Sequence, residues 1–262
     1  MKYLVSLIAH PSSSAPIPWT TGAAYTGWIY RILATADHDA HTVIGPLTHR
    51  SPFLRNFAVS PAQFVDGQAD AHGYRPATPF AALTFGTSDP AVADAFVQYA
   101  ATVPLQLGTW TLQVSALVPY ADPVWPQDTH PLTMACFPLA LRRPRGVHPN
   151  PVWPDQDDWD SVLAHNLCRK AEQFYDLTVD PQAVHITAPH GWRPRFQRPY
   201  GYPVTAFQPR APLIITAPAV IYDVIFTFGF GILNSAGLGV LTLDASAQCL
   251  DSATPLMSTA SS

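Results

Sequence analysis

Charge is scarce in this sequence. Asp, Glu, Lys and Arg make up 12% of it, and 14 Lys+Arg face 18 Asp+Glu, for a formal net charge of −4. Phosphate affinity is largely electrostatic, so this balance is unfavourable for generic binding of nucleic acid. A nucleic-acid site here must gather the few cations locally. Cysteine is equally sparse. Cys136, Cys168 and Cys249 are widely spaced and form no CxxC pair, which argues against a disulfide framework or a cysteine zinc site. No apolar run approaches the roughly 18 residues of a membrane-spanning helix, so no membrane partner is expected and a cytoplasmic location is. Residues 1–9 have too short an apolar run for a signal peptide and read as a strand.

Apolar residues are plentiful, at 48% of 262, enough for one large core or two small ones. The 28 prolines make many connections stiff or extended. Residues 2–9 read as a buried strand. Thr20 or Thr21 could cap a helix whose apolar face includes Trp28, Ile29, Ile32 and Leu33, ending near Ala36. Short strands are expected at 57–60 and 80–86, with a Gly/Pro/Asp-rich loop over 66–79. Ser88 can cap a second helix and Pro90 suits its first turn, and 110–118 alternates as a strand. The pattern then recurs: a strand within 131–141, a helix from Asp158 or Asp160 to Phe174, and a strand at 183–187. An Arg/Pro/aromatic segment over 189–210 precedes strands at 213–217, 219–226 and 239–243. A duplicated β-α-β-β layout fits; a single α+β domain is the alternative.

The densest local signal is Phe228-Gly229-Phe230-Gly231-Ile232-Leu233-Asn234-Ser235-Ala236-Gly237-Leu238-Gly239. Two Gly-x-Gly pairs flank a short turn. Without a Cβ, glycine lets the chain bend sharply or lie against another backbone. The bland reading is a Gly-rich hairpin; the functional one is a backbone surface built to be approached. The spacing is not a dinucleotide fingerprint, and no Gly-Lys-Ser/Thr follows. His38, Asp39 and His41 match no strong metal-ligand spacing. No metal or other cofactor is expected.

Four signatures occur in order: Trp28-Ile29-Tyr30-Arg31-Ile32-Leu33; Leu47-Thr48-His49 ahead of Phe57-Ala58-Val59-Ser60-Pro61; Leu163-Ala164-His165-Asn166-Leu167-Cys168-Arg169-Lys170; and the Gly-rich segment. Over about residues 2–244 they resemble the CRISPR-associated endoribonucleases of the RAMP superfamily, which cut precursor CRISPR RNA within its repeats. The resemblance implies an α+β chain of tandem ferredoxin-like (RRM-like) domains, 1–120 and 131–250, the second carrying the Gly-rich loop. It implies CRISPR repeat RNA as partner, with other CRISPR effector subunits as further candidates. It implies a catalytic histidine, for which His49 fits by spacing and His41 is the rival. It also implies a tyrosine on the first helix, Tyr30, and a basic helper, for which Arg50 and Arg55 are candidates. RNA is expected along Gly229, Gly231, Asn234, Ser235, Gly237 and Gly239.

The residue types suit the chemistry. RNA carries its own nucleophile, the 2′-hydroxyl, so scission needs proton transfer and charge stabilisation at phosphorus. Imidazole titrates near neutral pH, and a guanidinium fork can bind two phosphate oxygens. The expected products are a 2′,3′-cyclic phosphate and a 5′-hydroxyl. Three basic clusters could grip RNA: Arg142, Arg143 and Arg145; Arg169 and Lys170; and Arg193, Arg195 and Arg198, interleaved with Trp192, Phe196 and Tyr200. Each also has a bland reading, as a helix-end charge or a rigid surface excursion. The insert Ile232–Ala236 carries no charge, which keeps two alternatives open: a non-cleaving RNA-binding subunit of a CRISPR effector complex, and an α+β protein-interaction module without RNA.

Overall fold

The computed structural model describes residues 1–19, 21–36, 55–70, 72–125, 131–141, 152–197 and 203–244. The first half runs β1 (Lys2–Pro11), β2 (Ile17–Pro18), α1 (Gly22–Thr35), β3 (Ala58–Val59), β4 (Gln63–Phe64), β5 (Gly67–Ala69), β6 (Gly73–Pro76), β7 (Phe80–Gly86), α2 (Pro90–Tyr99), β8 (Leu105–Leu107) and β9 (Trp110–Pro119). Val5, Leu7 and Ala9 alternate inward along β1, as period-2 patterning requires. β1 is the central strand, antiparallel to β7 on one side and to β9 on the other. The sheet order is β3-β7-β1-β9-β8, with β4 also on β7. Leaving β8 aside, this is the strand order of a β-α-β-β-α-β ferredoxin-like unit. Trp28, Ile29, Ile32 and Leu33 of α1 and Val92, Ala95 and Phe96 of α2 share one core with Val5, Leu83 and Phe85.

Local details depart from expectation. Asp89, not Ser88, caps α2: its carboxylate accepts from the Ala91 and Val92 amides at 2.9 and 3.5 Å. Ser88 instead donates to Asn56 at 2.7 Å. Thr21 sits at the α1 cap position without a side-chain capping bond. The expected loop over 66–79 holds the β5–β6 hairpin, because Asp70 Oδ1 accepts from the His72 and Gly73 amides and closes a tight turn.

The second half runs β10 (Leu132–Met134), α3 (Trp159–Tyr175), β11 (His185–Thr187), β12 (Trp192–Gln197), β13 (Val204–Pro209), β14 (Leu213–Thr216) and α4 (Ala219–Phe228). β14 lies between β10 and β11 in an antiparallel sheet. Leu241 bridges Cys136 in the place of a fourth strand, so the strand order repeats that of the first half. A separate core includes Leu163, Leu167 and Ala171 of α3 with Ile221, Val224 and Ile225 of α4. Cys136 and Cys168 are buried free thiols, pushed up by that burial.

Two corrections matter for the site. Residues 219–226, expected as a strand, belong to α4. A short continuous apolar run does not distinguish a buried strand from a buried helix; here Pro218 precedes the first turn, and Ile221, Val224, Ile225 and Phe228 recur at helical spacing on the buried side. The Gly-rich segment is therefore not a hairpin but the connection from α4 to the Leu241 bridge. Within the Arg-rich stretch over 189–210, β12 and β13 pair as regular antiparallel strands.

Candidate nucleic-acid interface

The Gly-rich connection is stitched into its own chain. Phe230 N donates to Gly239 O at 2.8 Å, Ile232 N to Ala140 O at 2.9 Å and Gly239 N to Pro138 O at 2.9 Å. The backbone of Gly229 and Gly239 has φ of 75° and 67°, a region closed to most side chains. A Cβ at Gly229 would strike the Gly239 carbonyl, and one at Gly239 the Phe230 carbonyl. The close approach that the glycines predict is thus made by the chain itself. Residues 224–241 are all buried. The expected RNA-facing surface along Gly229, Gly231, Asn234, Ser235 and Gly239 is corrected accordingly; Gly237 alone of that set borders an open cavity.

Lys170 is also corrected. It was expected beside RNA, yet it is 1% exposed. Its Nζ donates to Gly229 O at 2.7 Å and to Asn234 Oδ1 at 2.8 Å. Asn234 Nδ2 in turn donates to Phe230 O at 2.8 Å and Leu238 O at 2.7 Å. One lysine and one asparagine thus close the turn from inside. Burial drives the Lys170 ammonium well below its ordinary range, since both bonded partners are neutral oxygens. Across the junction between the halves, Thr26 Oγ1 donates to Ser235 O at 2.9 Å, and Ala58 packs with Phe228 and Val240. The turn therefore fixes α1 against the second half.

One turn of α1 beyond Thr26 stands Tyr30. Arg55 Nη1 donates to the Tyr30 hydroxyl at 2.7 Å, and its guanidinium lies 5.2 Å from the ring centroid. Both side chains are half-buried, and Phe57 meets the Tyr30 ring edge-on at 6.4 Å. The structure thus brings together two of the five expected catalytic residues, from opposite ends of a covalent segment. α1 ends at Thr35, and Arg55 is the first described residue after that segment. His41, His49 and Arg50 lie on it, outside the described residues. The tyrosine oxygen accepts from Arg55 and carries one proton of its own to donate. The guanidinium has five N–H donors, and this bond uses one of them.

Among the remaining cations, Arg193 and Arg195 are exposed and two residues apart on β12, which places them on one face of the β12–β13 pair. Arg169 is exposed on α3. Arg142, Arg143, Arg145 and Arg198 lie outside the described residues. Among the described residues no group of three or more His, Cys, Asp or Glu side chains could hold a metal ion, and no helix is long and apolar enough to cross a membrane. Sequence reasoning missed the Lys170–Asn234 lock, although its signal was present. Leu163, Leu167, Lys170, Ala171 and Phe174 recur at helical spacing, so Lys170 stands on the apolar stripe of α3.

Two ferredoxin-like halves, joined through a buried Gly-rich turn, define the architecture. No protein-family model and no curated protein matches the chain. Solved structures do. An RAMP protein binding different RNA substrates superposes with a TM-score of 0.72 at 13% identity, over 92% of this chain and 98% of that one. A CRISPR-associated protein Cas6 gives 0.68 at 16% identity, over 92% and 99%. A Cas6-related gene product from Pyrococcus furiosus gives 0.70 at 10% identity, over 92% and 97%. The resemblance carried by the sequence motifs thus extends along the backbone: the chain has the tandem ferredoxin-like fold of CRISPR-associated RAMP and Cas6 proteins.

Proposed function

We propose that this chain is an endoribonuclease that binds CRISPR repeat RNA and cuts it by attack of a 2′-hydroxyl on the adjacent phosphate. The observation that carries the reading is the Tyr30–Arg55 pair, 2.7 Å apart. Tyr30 lies on the helix that precedes the segment bearing His41 and His49, and Arg55 directly follows that segment, within a fold shared with RNA-binding proteins of that class. The 2′-oxygen bonds to phosphorus as the bond to the 5′-oxygen breaks, leaving a 2′,3′-cyclic phosphate and a 5′-hydroxyl. His49 moves a proton, as base from the 2′-hydroxyl or as acid to the leaving oxygen. Arg55 neutralises charge gathering on the phosphate, and the Tyr30 hydroxyl donates to a phosphate oxygen. All of this uses protein groups only. Arg193, Arg195 and Arg169 supply backbone contacts away from the cut.

The buried turn changes the role of the glycines. They hold α1 and its tyrosine in place rather than cradle the ribose–phosphate chain. The two separate hydrophobic clusters support a division into two domains, with Trp125 buried in the second cluster and Tyr120 packed against it.

The test is a repeat RNA from the array beside the gene, end-labelled, against a shuffled RNA of equal composition. The expected result is retention of the repeat RNA and one discrete cut within it. Binding without a cut would favour a non-cleaving effector subunit, and neither binding nor cutting would leave a protein-interaction role.

A further inference from the structure

A cavity of about 430 Å³ opens between the halves, beside the first turns of α1. Neither Tyr30 nor Arg55 lines it. Its walls include Trp19, Tyr25, Gln63, Phe64 and Tyr74 from the first half and Gly237 from the second. Among the described residues no charged side chain lines it, so these walls offer a phosphate no counter-charge and suit a neutral group. Its size lies in the range of small-molecule sites.

Three features mark it as built rather than accidental. Trp19 is 51% exposed but held: its Nε1 donates to Asp70 O at 3.0 Å. Asp70 is itself fixed, accepting from the His72 and Gly73 amides at 2.7 and 2.9 Å and pairing with Arg75 at 3.3 Å. The Phe64 and Tyr74 rings stand 5.7 Å apart at 31° and form an aromatic wall; Tyr25 is fixed by the Ala62 amide, which donates to its hydroxyl at 3.0 Å. Gln63 Nε2 is buried and has no hydrogen-bond partner among the described residues, in a side chain that lines the cavity.

We infer that this cavity seats one unpaired nucleobase of the bound RNA, with Trp19 as its stacking platform and Gln63 reading its edge. The inference rests on the RNA-binding reading above. A base offers what the site asks for: a flat, neutral, apolar face for aromatic rings and an edge of acceptors for an amide that turns about its last torsion. Tyr25 in the cavity wall and Tyr30 beside Arg55 are five residues apart on α1, about 7.5 Å along its axis and about 140° around it, so a strand that reaches both must pass around the helix.

The experiment uses the full chain and repeat RNA with methylated 2′-hydroxyls, which has no free nucleophile. A single abasic site is walked along the strand, and affinity is measured for wild type, Trp19→Ala, Trp19→Phe and Gln63→Leu. One abasic position is expected to weaken binding by wild type about tenfold, the loss of one stacked base. Trp19→Ala should weaken binding to intact RNA by a similar factor and erase the penalty at that position alone; Trp19→Phe should keep most of it. Gln63→Leu should flatten the preference among the four bases there. If RNA binds but Trp19→Ala leaves every abasic penalty unchanged, the inference falls while the RNA reading stands, and the cavity serves another occupant, such as an apolar protein segment. If wild type binds no repeat RNA, both fall.

Discussion

Replacing Lys170 with methionine is expected to destabilise the protein by about 3 kcal/mol in urea unfolding at neutral pH. The change keeps chain length and apolar contacts but removes both donors. It leaves Gly229 O and Asn234 Oδ1 buried and unpaired, and each orphaned buried acceptor costs about 1–3 kcal/mol. Against this, methionine relieves the desolvation of a buried ammonium. The two terms separate with pH. The unfolded chain holds its lysine proton up to about pH 10.4, whereas burial makes the folded chain release it earlier. Between those two values the unfolded state binds more protons, so wild-type stability rises with pH there, by at most about 1.4 kcal/mol per unit. The advantage of wild type over Lys170→Met should therefore grow as the solution is made alkaline through that window and be smallest below it. Asn234→Ala should cost a similar amount, and the double variant less than the sum, because both residues close one turn. Equal stability of wild type and Lys170→Met would show that the turn does not depend on this lock.

His49→Ala is expected to abolish detectable cleavage, a loss of about 10³-fold or more in rate, while affinity for repeat RNA stays within about twofold. Loss of a positioned acid–base group typically costs 10²–10⁴-fold, and an imidazole that moves protons adds little to ground-state binding. Arg55→Ala should cost about 10²-fold or more through lost charge stabilisation. Arg55→Lys should not restore it, because a point charge reproduces neither the 2.7 Å bond to the Tyr30 oxygen nor a second contact to phosphate. Tyr30→Phe should cost less. Added to Arg55→Ala it should cost almost nothing further, since a pair that acts as a unit is not additive. Single-turnover cleavage beside equilibrium binding separates these outcomes. If His41→Ala rather than His49→Ala gives the loss, the assignment within the segment shifts. If both variants cleave at the wild-type rate, the imidazole mechanism fails.

The parts legible in the sequence were those with one dominant physical signal. β1 alternates cleanly, and Val5, Leu7 and Ala9 are its inward residues. The apolar faces of α1 and α3 follow from spacing, whereas the contact between Tyr30 and Arg55 has no local signal in the sequence. Signals failed where two structures share one pattern. The apolar run over 219–226 is rich in β-branched residues and reads as a strand, yet burial on most sides also suits a helix, and Pro218 decides the matter. Glycines announce close backbone approach without saying whose backbone comes near; here it is Phe230 against Gly239. Lys170 shows the opposite lesson. Residue type suggested a surface cation, while its place on the buried stripe of α3 pointed inward, and position prevailed because two oxygens were waiting there.

The most direct measurement is the mass of the RNA ends after incubation with the full chain in EDTA. The account predicts one upstream fragment ending in a 2′,3′-cyclic phosphate and one downstream fragment beginning with a 5′-hydroxyl. Fragments carrying a 3′-hydroxyl and a 5′-phosphate, or cutting that stops in EDTA and returns with added magnesium, would contradict it.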